Sequence, residues 1–169
     1  VLLDQLDRHA DAVLAFRAAL AAAPQARELY ATVLSHLVSS ASPDLPFAQE
    51  IFREAQRQLA LEPQWRVYFA LWVKVVAARV GQPVGADVVE VLRAQTSTPG
   101  WPAKLAAFGA GQLPYAELAS SASGVGERTE ALFYEGARRL ADGDAAGARS
   151  LFEEVIGLGM VGFYEHAMA

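Results

Sequence analysis

AVLAFRAA (residues 12–19), AQEIFREA (48–55) and ARSLFEEV (148–155) share one spacing. A small residue is followed four places on by Phe, and three further by a small or β-branched apolar residue. The sets are Ala12–Phe16–Ala19, Ala48–Phe52–Ala55 and Ala148–Phe152–Val155. Steps of four and three return to the same side of an α-helix. Such a side suits close packing against an antiparallel neighbour, because small side chains let two backbones approach while a ring fills the gap beside them. The spacing predicts helical hairpins, and a hairpin of this size cannot bury both faces unless it stacks on another.

Working outward, the first copy lies in a helix predicted over Leu2 to Ala23, closed by Pro24, with Val1 to Leu6 left from a preceding helix and Arg8-His9-Ala10 near the turn. Ala26 to Ser39 reads as the next helix. Ser39 to Asp44 is a loop whose Ser42 or Asp44 can cap a helix running to about Leu61, before Pro63. Trp65–Val80 and Asp87–Gln95 form a third hairpin, the first helix apolar nearly all round as a helix between neighbours should be. Thr96 to Gly100 breaks the pattern. Short helices follow over Pro102–Phe108 and Pro114–Ser121, then a second link over Ser120–Gly126. The last hairpin pairs Arg128–Ala141 with Ala145–Gly157 through Asp142-Gly143-Asp144, with Gly136 and Ala148 at the close approach and Phe152 filling the next turn. A final helix is expected from near Val161. Ala12 to Ala48 spans 36 residues, close to a period of about 34. The 100 residues from Ala48 to Ala148 hold three such units, the middle two degenerate. The expected architecture is a single all-α solenoid over 1–169: hairpins over 1–95, irregular short helices and links over 96–126, and a hairpin plus final helix over 127–169.

Composition narrows the function. Of 169 residues 53% are apolar, enough for a substantial core. Without cysteine, the sequence forms no disulfide, iron–sulfur cluster or thiolate zinc site. A net charge of −5 without a lysine-rich run argues against nucleic acid as a partner. The most apolar stretch, Val67 to Ala78, is interrupted by Lys74 and falls short of the roughly 20 residues of a membrane span, so no transmembrane segment is expected. Val1 falls inside a repeat, so a preceding segment is expected.

The chemistry-bearing residues do not assemble into a catalytic pattern. His9, His36 and His166 fall on different hairpins, and no metal site is expected. Asp142-Gly143-Asp144 lacks the later ligands of a calcium loop and sits where a turn is required. Gly109–Gly111 and Gly124–Gly126 lack a dinucleotide fingerprint. Ser120, Ser121 and Ser123 have no nucleophile elbow around them, and Glu153 and Glu154 point to different sides of one helix. No enzyme activity and no cofactor are expected.

With its signature and period, the chain resembles the tetratricopeptide (TPR) repeat proteins, which implies a TPR-like α-α superhelix of stacked antiparallel hairpins. From about residue 65 onward it is more specifically similar to the NlpI-like lipoproteins of the bacterial outer membrane. That likeness is carried by Trp65–Leu92, Trp101-Pro102, Phe108, Gly111-Gln112-Leu113, Phe133-Tyr134-Glu135-Gly136, Gly143-Asp144 and Gly162-Phe163-Tyr164-Glu165-His166. It implies a non-enzymatic adaptor, homodimeric, presenting a cell-wall hydrolase to a processing protease in the periplasm; otherwise the compartment would be the cytoplasm. Glu135 and Arg139 stand where the repeat usually has apolar residues, and no lipid-anchor cysteine is present.

A superhelix of this kind takes a protein or peptide on the concave face lined by the first helix of each hairpin. Helical geometry places Glu28, Ala31, Ser35, Tyr68, Leu71, Val75, Arg79, Glu130, Phe133 and Ala137 there. Tyr68, Trp72, Phe133 and Tyr134 suit either anchoring a peptide or packing the core, and Trp101 is expected to pin its linker against the third hairpin. Two other readings stay open: a module that self-associates, and an accessory domain of a larger enzyme.

Overall fold

The computed structural model describes residues 9–58 and 60–169, and the side chains from residue 11 onward within that span. The helix remnant over Val1 to Leu6 and the side chain of His9 lie outside the described residues. Those residues form ten helices and no strand. In chain order they are α1 (His9–Ala22), α2 (Arg27–Ser39), α3 (Leu45–Gln56), α4 (Pro63–Arg79), α5 (Ala86–Gln95), α6 (Trp101–Gly109), α7 (Tyr115–Ser120), α8 (Val125–Ala141), α9 (Ala145–Gly157) and α10 (Tyr164–Met168). Among them none is long and apolar enough to cross a membrane.

Local chemistry sets most boundaries. Asp44 caps α3 by accepting from the Phe47 N–H at 2.9 Å, and Asp144 caps α9 through the Gly147 N–H at 2.9 Å. Gly143 turns the chain between α8 and α9 at φ 83°, in the left-handed region that a side chain disfavours. Pro63 opens α4 at a position where its missing N–H costs nothing.

Three boundaries differ from the sequence expectation, the last helix beginning at Tyr164 and not near Val161, after a turn in which the Phe163 N–H donates to Met160 O at 2.9 Å. Helix α3 ends at Gln56, not near Leu61, because Arg66 reaches back to its terminal carbonyls. The guanidinium donates to Gln56 O at 2.8 Å and to Gln58 O at 2.9 Å, replacing another helical turn. Helix α8 starts at Val125, three residues early, because Glu127 accepts from both the N–H and the hydroxyl of Ser123 at 2.6 and 2.8 Å. The serine run that reads as a link is thus tied to the first turn of the helix, whose N-cap is Gly124.

Helix α4 is the hub. It packs against α2, α3, α5, α6 and α8. Nine of its side chains, from Val67 to Ala77, are buried, which is why it is apolar nearly all round. Helices α8 and α9 form the tightest pair. Gly136 makes it possible: a Cβ there would lie 2.7 Å from the Phe152 ring. The closing element is α10, which packs on α2, α8 and α9, while Tyr164 sets its ring 5.0 Å from that of Trp72 in α4.

Candidate functional site

The inner sides of α4 and α8 face each other, and their side chains alternate between packing and lining clefts. Steps of three and four along α4 bring Tyr68, Leu71, Val75 and Arg79 to this side, and the same steps along α8 bring Glu130, Phe133 and Ala137. Tyr68 and Glu130 line a cavity of about 220 Å³ with Trp65, Trp72 and residues 162–165. Leu71, Val75 and Ala137 line a second, about 280 Å³, with Lys74, Phe108 and Tyr134. Val75, Arg79 and Phe133 border a third, about 360 Å³, with Val38, Phe152 and residues 167–169. Two members of the sequence-derived set lie on α2 away from these cavities. Glu28 is exposed and paired with Arg27, and Ser35 is half-buried with its hydroxyl on Thr32 O at 3.3 Å. Ala31 is buried.

Much of the α4/α8 set is packed, with Leu71, Val75, Phe133 and Ala137 all at or below 6% exposure. The polar members do the joining. Arg79 donates to Val38 O, capping the end of α2 from α4. Lys74 donates to Gly109 O at the end of α6, and its burial pushes its ammonium below the usual lysine range.

At the Tyr68 end, two carboxyl groups are almost wholly buried. Glu130 accepts from Tyr68 Oη at 3.0 Å and from the indole N–H of Trp101. The Trp101 indole therefore reaches α8, not only its own linker. Glu165 accepts from Tyr134 Oη at 2.7 Å, with Trp72 Nε1 at 3.1 Å from the Tyr134 oxygen and 3.5 Å from Glu165 Oε1. Burial pushes the Glu130 carboxyl up to about 7, with the charge of Glu165 adding to it and the hydrogen bonds from Trp101 and Tyr68 opposing. Burial also raises Glu165, against the hydrogen bond from Tyr134. The Tyr68 and Tyr134 hydroxyls are raised by burial and by these carboxylates, so both remain donors. Trp65 encloses the group from the start of α4, 5.6 Å from Tyr68 and 6.2 Å from Tyr164 between ring centres.

No family model, curated protein or solved structure matches the chain. The functional reading therefore rests on the residues and their geometry.

Glu165, Tyr164 and Trp65 join the site without having been picked out for it from sequence. Their signal was an acid flanked by aromatic residues in a short C-terminal stretch, Gly162-Phe163-Tyr164-Glu165, but its seat depends on contacts some ninety residues away. Among the described residues no three His, Cys, Asp or Glu side chains converge as metal ligands. A larger cavity, about 670 Å³, lies between α7, α8 and α9. Its charged groups are Arg128 and Glu154, which pair at 3.7 Å. It has the volume of a site without converging chemistry.

Proposed function

We propose that the chain is a TPR-like α-α superhelix acting as a non-enzymatic scaffold, which takes a protein or peptide segment on the inner face of α2, α4 and α8. The observation that carries this reading is the segment already seated there. Residues 162–169 lie against α2, α4 and α8 as a bound peptide would, with one acid inserted and the Tyr164 ring, itself 36% exposed, laid against Trp72. Phe163 rests on the first turn of α8, where a Cβ on Gly126 would lie 2.7 Å from its ring. A face that holds one short helix through a few desolvated contacts suits another segment of the same kind.

The test is selection of peptides from a display library on the immobilised protein, followed by competition with a synthetic peptide spanning residues 160–169. Selected peptides should compete with it, and Tyr68→Ala and Arg79→Ala should weaken them while the helical content stays unchanged. Binding that ignores both substitutions and the competitor would refute the inner-face assignment.

A second reading, self-association, is favoured by the outer side of α1. Leu14 is 63% exposed there beside exposed Ala15 and Ala18. Light scattering decides it: a monomer at every concentration removes self-association.

A further inference from the structure

We infer that the cavity between Trp65, Tyr68, Trp72 and Tyr164, with Glu130 and Glu165 in its wall, is a binding site for a quaternary ammonium group. The inference does not depend on the segment-binding reading, because the cavity is complete with residues 162–165 in place.

Size comes first. About 220 Å³ is below the roughly 300–1,000 Å³ of pockets for drug-sized ligands, and it suits a single headgroup. Shape comes next. The four rings pack against one another at varied angles, 86° between Trp65 and Tyr164, 60° between Trp65 and Tyr68, 57° between Trp72 and Tyr164 and 34° between Tyr68 and Trp72. Trp72 is only 1% exposed, so the accessible ring surface of the cavity comes from Trp65, Tyr68, Phe163 and Tyr164, and the face of an aromatic ring carries the negative part of its quadrupole. One of these rings already takes a cation: the Arg27 guanidinium carbon lies 4.8 Å from the Trp65 ring centre.

Charge then selects the sign of the ligand. Glu130 and Glu165 are 6% and 3% exposed. Their hydrogen-bond donors are phenols and indoles, and no lysine, arginine or histidine lines the cavity. Among the described residues neither carboxylate joins an ion pair. When ionised, the two buried carboxyl groups, with no basic side chain in the lining, leave negative potential beside aromatic faces that attract cations.

Hydrogen-bond capacity decides between kinds of cation. Both oxygens of Glu130 and one of Glu165 already accept from the protein. A primary ammonium brings three N–H donors that must be satisfied once water is stripped away. A quaternary ammonium brings none and needs only charge and ring faces, which the cavity supplies. The titratable groups around the site are the acids Glu130, Glu165, Glu127, Tyr68 and Tyr134, together with the Arg27 guanidinium that lies on the Trp65 ring. A bound cation favours their ionised carboxylates, so uptake should release protons and strengthen as pH rises.

The experiment titrates choline chloride into the unmodified protein, read by tryptophan fluorescence and calorimetry, beside its neutral carbon isostere dimethylbutanol. Saturable binding of choline, about tenfold or more tighter than the isostere and weaker in acid, is the expected result. No saturable signal, or equal affinity for the two, overturns the assignment without touching the peptide result above. Glu165→Gln removes charge at constant shape and should abolish the preference for choline. If that variant fails to fold, the isostere comparison on the unmodified chain still decides. Phosphatidylcholine vesicles form the last arm: co-sedimentation with choline competition identifies the group as a lipid headgroup, and choline binding without co-sedimentation identifies a free solute.

Discussion

Tyr134 donates a hydrogen bond from its hydroxyl to Glu165 Oε1 at 2.7 Å, joining α8 to α10 across 31 residues of chain. Both side chains are at or below 3% exposure, so water cannot substitute for either partner. The same tyrosine oxygen lies 3.1 Å from Trp72 Nε1, so the short closing helix is tied at once to α4 and α8.

Tyr134→Phe should therefore leave a buried carboxyl group short of one donor, at a cost of about 1–3 kcal/mol. Urea denaturation measures the loss. Hydrogen exchange should show α10 opening ahead of α4, and uniform protection of both helices would contradict the tie.

Glu130 makes stability depend on pH in a definite direction. Its carboxyl titrates at about 7 in the fold against 4.5 ordinarily. Between those values the folded chain keeps a proton that the unfolded chain has released. This contribution to stability is complete below 4.5 and is lost as pH rises through 7, amounting to at most about 3 kcal/mol. Glu130→Gln mimics the protonated form, so its melting temperature should gain on the parent protein between about pH 5 and about pH 8. Scanning fluorimetry at the two values checks this, and an unchanged difference would refute it.

Glu135 behaves in the opposite sense. Its side chain is 2% exposed and accepts from Arg138 at 2.7 and 2.8 Å and from Arg139 at 2.9 Å. Burial pulls its carboxyl upward, but the two guanidinium groups outweigh burial and hold it below the usual carboxylate range. Its contribution is present above 4.5 and lost as pH falls through the lowered value. Glu135→Gln should cost about 1–3 kcal/mol near neutrality and progressively less in acid. A cost that persists at low pH would show that packing, not charge, holds this residue.

Gly136→Ala should destabilise the α8/α9 pair by about 1–3 kcal/mol, since the new methyl group meets the Phe152 ring at 2.7 Å. Combining it with Phe152→Leu should recover part of the loss in a double-mutant cycle. Additive losses would mean that the ring and the glycine do not meet.

The hairpin ends were readable because they obey local rules. Gly136, Ala148 and Phe152 declare a close approach within one pair of adjacent helices, and Asp142-Gly143-Asp144 declares the turn between them. Helical spacing groups Tyr68, Leu71 and Val75 on one side of α4 and Glu130 and Phe133 on one side of α8, but it does not show that these sides meet or that most of these residues are buried. Arg66 was not readable: its capping of α3 from ten residues downstream leaves no periodic trace. Nor was the seat of Glu165, because a lone acid among aromatic residues on a five-residue helix carries no amphipathic pattern. Trp101 was read as a linker anchor from its neighbours Gly100 and Pro102, while its hydrogen bond to Glu130 depends on a fold-wide juxtaposition.

The contact of Tyr164 with Trp72 bears on the order in which the molecule is made. A ribosome adding about 5–20 residues per second needs several seconds to travel from one to the other. During that interval α4 has its neighbours on other sides, yet the indole of Trp72 waits for a cover that only the late-synthesised segment provides. The nascent chain thus keeps one side of this indole open until Tyr164 arrives, while Trp65, Tyr68 and Phe69 already cover the others.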